Sequence, residues 1–290
     1  MVEGIWLGTA GKGPHTPDAR FLPQFGYNNC AMPKFFAAAL LFFSLSAFAQ
    51  QQAVEITSEP HHHPVLDNLF VRVYDVKIDP NQSTLMHNHK HDYLGVFLGD
   101  SDFQNIKADG QSANVKIKDG EVRFAAAPVV HAVEDKAATP FRNITIELMQ
   151  PTTHETACTE SCQIPVDCSS ADKAKCPTVE KLMSADQWSV TRITLPPGAV
   201  YPQHTHLANF LVVPLNDATL KVRNQDGPET ETSYKTGAIR WNNPTVHTIT
   251  NSGSSPAKAV VLEFRGRPAG EGSESMSPDK TEQHKPHDHH

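Results

Sequence analysis

The chain has 290 residues, 39% of them hydrophobic, with 25 Lys and Arg against 32 Asp and Glu for a formal net charge of −7. That length fits two domains or one large β domain. The apolar share excludes wholesale disorder, and the acidic balance speaks against a nucleic-acid partner, whose phosphates demand a basic footprint.

Residues 1–31 carry no pattern and read as an upstream extension, with translation starting at Met32. Residues 32–49 resemble a secretory signal peptide: Lys34 is the positive end, Phe35–Leu45 the apolar stretch, and Ala47-Phe48-Ala49 the small-x-small pattern before cleavage after Ala49. The apolar run Phe35–Ala49 is 15 residues, short of the ~20 that span a bilayer. A periplasmic or secreted protein with no stable membrane span after cleavage is expected.

Beyond the leader the chain matches itself at an offset of 117. His87-Asn88-His89 falls on His204-Thr205-His206, Gly120–Phe124 on Gly237–Trp241 and, at 116, Pro128-x2-His131 on Pro244-x2-His247. A period this long means two copies of one domain rather than a solenoid. The first copy is expected over 61–150 and the second over 185–266. Leu69–Ile78, Tyr93–Leu98, Asn114–Ile117 and Asn143–Leu148 are rich in Val, Ile and aromatics and predict strands. Pro80-Asn81, Asp109-Gly110 and Asp119-Gly120 punctuate them, as do Pro197-Gly198, Asp226-Gly227 and Thr236-Gly237 in the second copy. The prediction is all-β: two sandwiches or barrels in tandem.

Between the copies, a linker over 151–184 holds Cys158, Cys162, Cys168 and Cys176, spaced for disulfides rather than a zinc ribbon, with three pairings open. One helix is predicted, around Val179–Trp188. The tail over 267–290 is polar and His-rich, and predicts disorder.

Six of the 16 histidines carry a pattern. His87 and His89, two apart on a strand, project from one face, and His131 follows 42 residues later. The second copy repeats this with His204, His206 and His247. Three neutral imidazoles hold a divalent ion and leave positions open for water or substrate. Iron, manganese, zinc, nickel and copper all suit such a set.

These motifs resemble the cupin superfamily. Gly198-x5-His204-Thr205-His206 matches the opening of its first motif and His247-x3-Asn251 the end of its second. In the first copy Asn81 stands for the opening glycine, an exchange suited to a left-handed turn. The resemblance implies two small cupin-like β-barrels of the double-stranded β-helix, or jelly-roll, type, with a metal inside each. The family's glutamate ligand falls at Tyr93 and Phe210, so neither copy supplies it. An ion lacking that carboxylate keeps its full charge and favours anionic substrates.

Strand parity turns His91 and Tyr93 into the first pocket as candidate proton donors or acceptors, whereas the second gains only Ala208 and Phe210. The first copy is therefore the favoured reactive one. Asp92, Arg123 and Arg240 are expected to face solvent, as are Glu147 and Glu263 on a solvated strand face. His61-His62-His63 precede the first barrel as a loose cluster. The expected function is metal-dependent, dioxygenase-like oxidation of a small molecule by a monomer or homodimer. The alternative is a non-catalytic module that binds a sugar, a small acid or the metal itself.

Overall fold

The computed structural model describes residues 52–265 apart from 160, 161, 169 and 171. The leader, the segment before it and the tail fall outside these residues. The first half contains β1 (Val54–Glu55), β2 (His62–Asp67), β3 (Val71–Ile78), β4 (His87–His89) and β5 (Tyr93–Phe97). It continues with β6 (Ser101–Lys107), β7 (Ser112–Ile117), β8 (Val122–Ala125), β9 (Val129–Asp135) and β10 (Phe141–Leu148). Two short strands follow, β11 (Thr156–Ala157) and β12 (Gln163–Ile164). The second half contains β13 (Thr178–Ser184), β14 (Trp188–Leu195), β15 (Val200–His206), β16 (Phe210–Pro214) and β17 (Ala218–Asn224). It ends with β18 (Glu229–Tyr234), β19 (Arg240–Asn242), β20 (Thr245–Asn251) and β21 (Ala257–Phe264). Among the described residues no helix is long and apolar enough to cross a membrane.

Each half is a jelly-roll barrel whose chain steps back and forth between two sheets. In the first, β1-β4-β9-β6-β7 faces β2-β3-β10-β5-β8; in the second, β15-β20-β17-β18 faces β11-β13-β14-β21-β16-β19. The left-handed turn before the histidine strand is made by Asn81 (φ 62°) in one copy and Gly198 (φ 72°) in the other, so the exchange costs the fold little.

One sheet of each barrel packs against its counterpart in the other. Val73, Val96, Ile144 and Ile146 from one side and Val190, Leu211, Val260 and Leu262 from the other belong to a single buried cluster. Each such side chain gains roughly 1.5–3 kcal/mol over its exposed state. The contacts are reciprocal. A Cβ on Gly120 (φ 73°) would meet Leu215 Cδ1 at 2.8 Å, and one on Gly237 (φ 74°) would meet Leu98 Cδ1 at 2.7 Å. Arg192 Nη1 donates to Gly120 O at 3.4 Å, and Arg142 Nη1 to Thr236 O at 3.3 Å.

The helix predicted around Val179–Trp188 is instead a β-hairpin, β13 turning into β14. A bulge between Lys181 and Met183 inserts one residue. It makes the apolar spacing Val179, Leu182, Met183 imitate a helical face, because a bulge breaks the two-residue period. The cysteines pair Cys158–Cys162 and Cys168–Cys176, and β11 and β12, flanking the first bridge, both hydrogen-bond to β13.

Candidate metal centres

In the first barrel β4 runs antiparallel to β9 with His87 opposite His131. His87 Nε2 lies 3.1 Å from His89 Nε2, which lies 3.3 Å from His131 Nε2. His87 Nδ1 faces Leu85 O at 2.9 Å and His131 Nδ1 faces Asn105 Oδ1 at 2.7 Å. A backbone carbonyl only accepts, so His87 Nδ1 carries the hydrogen and its Nε2 presents a lone pair inward. Burial, reinforced by His62, pushes the His87 and His89 pKa values down to about 3, and burial together with His87 and His89 beside it lowers His131. These rings are neutral.

The second barrel repeats the arrangement on β15 and β20, with His204 opposite His247 and their Nε2 atoms 3.0 Å apart. His204 Nδ1 donates to Pro202 O at 2.9 Å. Burial lowers His204 and takes His247 to about 4. One ligand nitrogen from each of His204, His206 and His247 lies within 4.8 Å of the others.

Each barrel gathers histidine nitrogens closely enough for a divalent ion: His204, His206 and His247 in the second, and His62, His87 and His89 in the first, where His131 Nε2 also adjoins that of His89. Imidazole nitrogens about 2.0–2.1 Å from a shared ion stand about 2.9–3.4 Å apart for ligand angles between a right angle and tetrahedral. The three closest pairs, His87–His89, His89–His131 and His204–His247, stand 3.0–3.3 Å apart, inside that range. Converging lone pairs repel one another in the absence of a cation.

Behind each middle histidine stands a carboxylate. Glu147 Oε1 is 3.7 Å from His89 Nδ1, and Glu263 Oε2 is 3.3 Å from His206 Nδ1. A hydrogen-bonded partner such as Glu263 fixes the ring tautomer and raises ligand basicity, whereas Glu147 stands near His89 without a hydrogen bond. The solvated strand face expected for these glutamates is corrected here: Glu147 is 1% exposed and burial raises its pKa, while the Glu263 side chain is 31% exposed. The expectation failed because β10 and β21 are buried on both faces. Ile144, Ile146 and Leu148 pack against the other barrel, which leaves Thr145 and Glu147 for the interior. Arg240 is exposed, as expected, and stands at the border of the second barrel's interior with its guanidinium 4.5 Å from the Tyr234 ring. Arg123 is exposed and pairs with Glu121, as expected of a surface residue.

Tyr93 stacks on His89 (centroids 4.1 Å apart, planes at 20°), and Phe210 stacks on His206 in the same way (3.8 Å, 16°). Burial pushes the Tyr93 phenol up to about 12. Strand β4 stops at His89, so parity does not carry to His91, which is half-buried in the following bend and outside the cluster. Asp92 is not simply solvent-facing. It accepts from Ala127 N at 2.8 Å and Thr152 N at 2.9 Å, tying two loops together.

The barrels differ most in what fills them. Phe97, Phe103 and Phe141 pack together in the first, with centroids 5.1–6.1 Å apart, alongside Ile117 and Val133. Their counterparts in the second are Pro214, Leu220 and Ala257, and there a cavity of about 280 Å³ opens beside His204, His206 and His247. Val212, Val222 and Val261 contribute to its apolar wall, and Asn224, Arg240 and Lys258 supply polar groups. Aligning the copies gives these three exchanges directly, a sign of a hollow interior that the reading from histidines alone missed. It also missed His62, which is buried rather than loose, and Tyr201, stacked on His204 at 4.0 Å.

No family model matches the chain, and no curated protein matches it. Among solved structures it is similar to AerE from Microcystis aeruginosa, with 14% identity and a TM-score of 0.48 over 72% of this chain and 99% of that one. It is similar to the oxalate decarboxylase of Bacillus subtilis, a protein with Mn(II) centres, with 13% identity and a TM-score of 0.47 over 68% of this chain and 69% of that one. A cupin domain from Bordetella pertussis shares 19% identity with a TM-score of 0.31, covering 32% of this chain and 98% of its own. Likenesses this distant carry no residue-by-residue correspondence.

Proposed function

We propose that this tandem pair of cupin-like barrels is an exported metal protein whose second barrel binds and oxidises a small, largely apolar molecule. The observation that carries the reading is the histidine triad of the second barrel opening onto a cavity of about 280 Å³, close to the lower end of ligand-sized pockets. His204, His206 and His247 would hold the ion, with Glu263 orienting His206. A histidine-bound ion with open positions supplies Lewis acidity and, for a redox-active metal, a site suited to dioxygen. The apolar wall excludes water and takes up the body of the substrate, while Arg240 at the border receives a polar or anionic group. The leader-like segment and the two disulfides support export.

The preference for the first barrel as the reactive one is replaced in this reading, since phenylalanine fills the space a substrate needs there. Tyr93 then acts by packing against His89 rather than by transferring protons, and His91 takes no part. A second reading, a non-catalytic binder, is favoured by one observation: Phe210 stands where the first barrel has Tyr93, so no phenol adjoins His206.

Elemental analysis of untagged protein tests the metal, and oxygen uptake with phenolics, thiols and diketones separates enzyme from binder. Bound metal unchanged by His131→Ala together with His247→Ala would refute the metal-dependent reading.

A further inference from the structure

The two barrels treat one arginine differently. At the 117 offset Glu121 and Arg123 fall on Ala238 and Arg240, and Ile117 falls on Tyr234. In the first barrel Arg123 pairs with Glu121, and Ile117 is buried among the phenylalanines. In the second barrel the glutamate is gone. Arg240 Nη2 donates to Ser233 O at 3.3 Å and the guanidinium lies 4.5 Å from the Tyr234 ring, with no carboxylate partner among the described residues. A cation–π contact holds a guanidinium in place without cancelling its charge.

Arg240 stands where the interior opens. Strand β18 ends one sheet of the second barrel and β19 ends the other, and the two edges do not pair. Tyr234 and Arg240 lie on either side of this gap, and both line the cavity. Among the described residues of the lining the cations are Arg240 and Lys258, and none is a carboxylate. Glu263, which meets His206 at Nδ1, is not part of the wall. In a chain of net charge −7, an apolar cleft bordered by cations alone draws anions. The ladder sets a length. Arg240 pairs with Val212, and Asn242 with Phe210, whose ring stacks on His206. Two residues of strand separate these levels by about 7 Å, so a ligand anchored at Arg240 extends past Val212 towards the histidines.

We infer that the second barrel selects monocarboxylates with an extended apolar body, the carboxylate held by Arg240 at the gap between β18 and β19 and the hydrocarbon lodged against Val212, Leu220 and Val261 in front of the triad. The planar fork of arginine matches a carboxylate, and one guanidinium suits a singly charged group. Each buried methylene adds affinity through the apolar wall. The first barrel is excluded twice over, by its paired arginine and its filled interior. This inference names the substrate class of the cavity described above and rests on the reading that the cavity takes a substrate.

Calorimetric titration of the metal-loaded full chain with octanoate, 4-phenylbutanoate and neutral octanamide tests it. Both carboxylates should bind, octanoate about fivefold or more tighter than octanamide because a charged hydrogen-bond partner is the stronger one. Arg240→Gln should erase that difference by weakening octanoate alone. Ala238→Glu, which restores the first barrel's acid at an exposed position, should also weaken octanoate while Arg240 stays. Ala257→Phe should abolish binding of all three. Metal content at the level of the unsubstituted chain shows that each variant keeps a folded second barrel. No binding of either carboxylate, or an octanoate affinity indifferent to Arg240→Gln and Ala238→Glu, would overturn the inference. Carboxylate binding that survives Ala257→Phe would overturn the cavity as the ligand site as well. Arg240-dependent binding without oxygen uptake would uphold the substrate class and refute the oxidative reading.

Discussion

Replacing Glu147 by Gln should act in opposite directions on the metal-free and the metal-loaded protein. Glu147 is 1% exposed, and neither of its oxygens has a hydrogen-bond partner among the described residues. Its nearest cationic candidate, His89, is held neutral by burial with a pKa of about 3. The metal-free fold therefore buries a carboxyl group that makes no hydrogen bond and is offset only through space by His91, Arg72 and His62, and a buried unsatisfied group costs about 1–3 kcal/mol, more when charged. Glutamine keeps the shape and removes the charge, so Glu147→Gln should stabilise the metal-free protein by about 1–3 kcal/mol. Once an ion sits on His89, the carboxylate lies one imidazole away from a dipositive charge. Losing it should weaken binding about 10–100-fold, which removes about 1.4–2.7 kcal/mol of the stabilisation that saturating metal confers. Urea unfolding of stripped and loaded full-length protein, with affinity from chelator competition, reads both terms. A destabilised metal-free variant, or an undiminished stability gain on metal addition, would refute the reasoning.

Glu263→Gln should lower metal affinity in the second barrel while shifting metal-free stability by less than about 0.5 kcal/mol, because its side chain is already 31% exposed; the same urea series measures it. Gly120→Ala should cost about 1–2 kcal/mol for its left-handed backbone and a further 1–3 kcal/mol for crowding Leu215. In a Leu215→Ala background only the backbone part should remain, and a double-mutant cycle with no coupling would contradict the 2.8 Å approach. Ala257→Phe copies the first barrel's Phe141 into the second, so it should abolish oxygen uptake yet leave the metal content seen by elemental analysis unchanged.

The duplication, the strands and the six convergent histidines were legible because each rests on a local rule: an offset of 117, an alternation, a pair of residues two apart. Asn81 was legible for the same reason, since a positive φ restricts residue type. What escaped depends on contacts between distant elements. Glu147 seemed solvent-facing because alternation identifies two faces but does not say that both are buried. Burial of the second face requires a second barrel against it. His62 escaped because its neighbours His61 and His63 make the run look like a loose tract, and only Glu59, anchored to Leu85 across the barrel, draws the middle one inward. The helix around Val179–Trp188 failed through a single bulge.

The reciprocal seam, Gly120 against Leu215 and Gly237 against Leu98, has the form of an isologous interface between two copies related by a twofold axis. In a homodimer of one such barrel every substitution would appear on both sides of the axis, so a plug of phenylalanines would close both interiors. Carrying the two copies on one polypeptide lifts that constraint. Each barrel can then change its interior while the other keeps the shared seam packed, and an aromatic filling in one half can coexist with a hollow in the other.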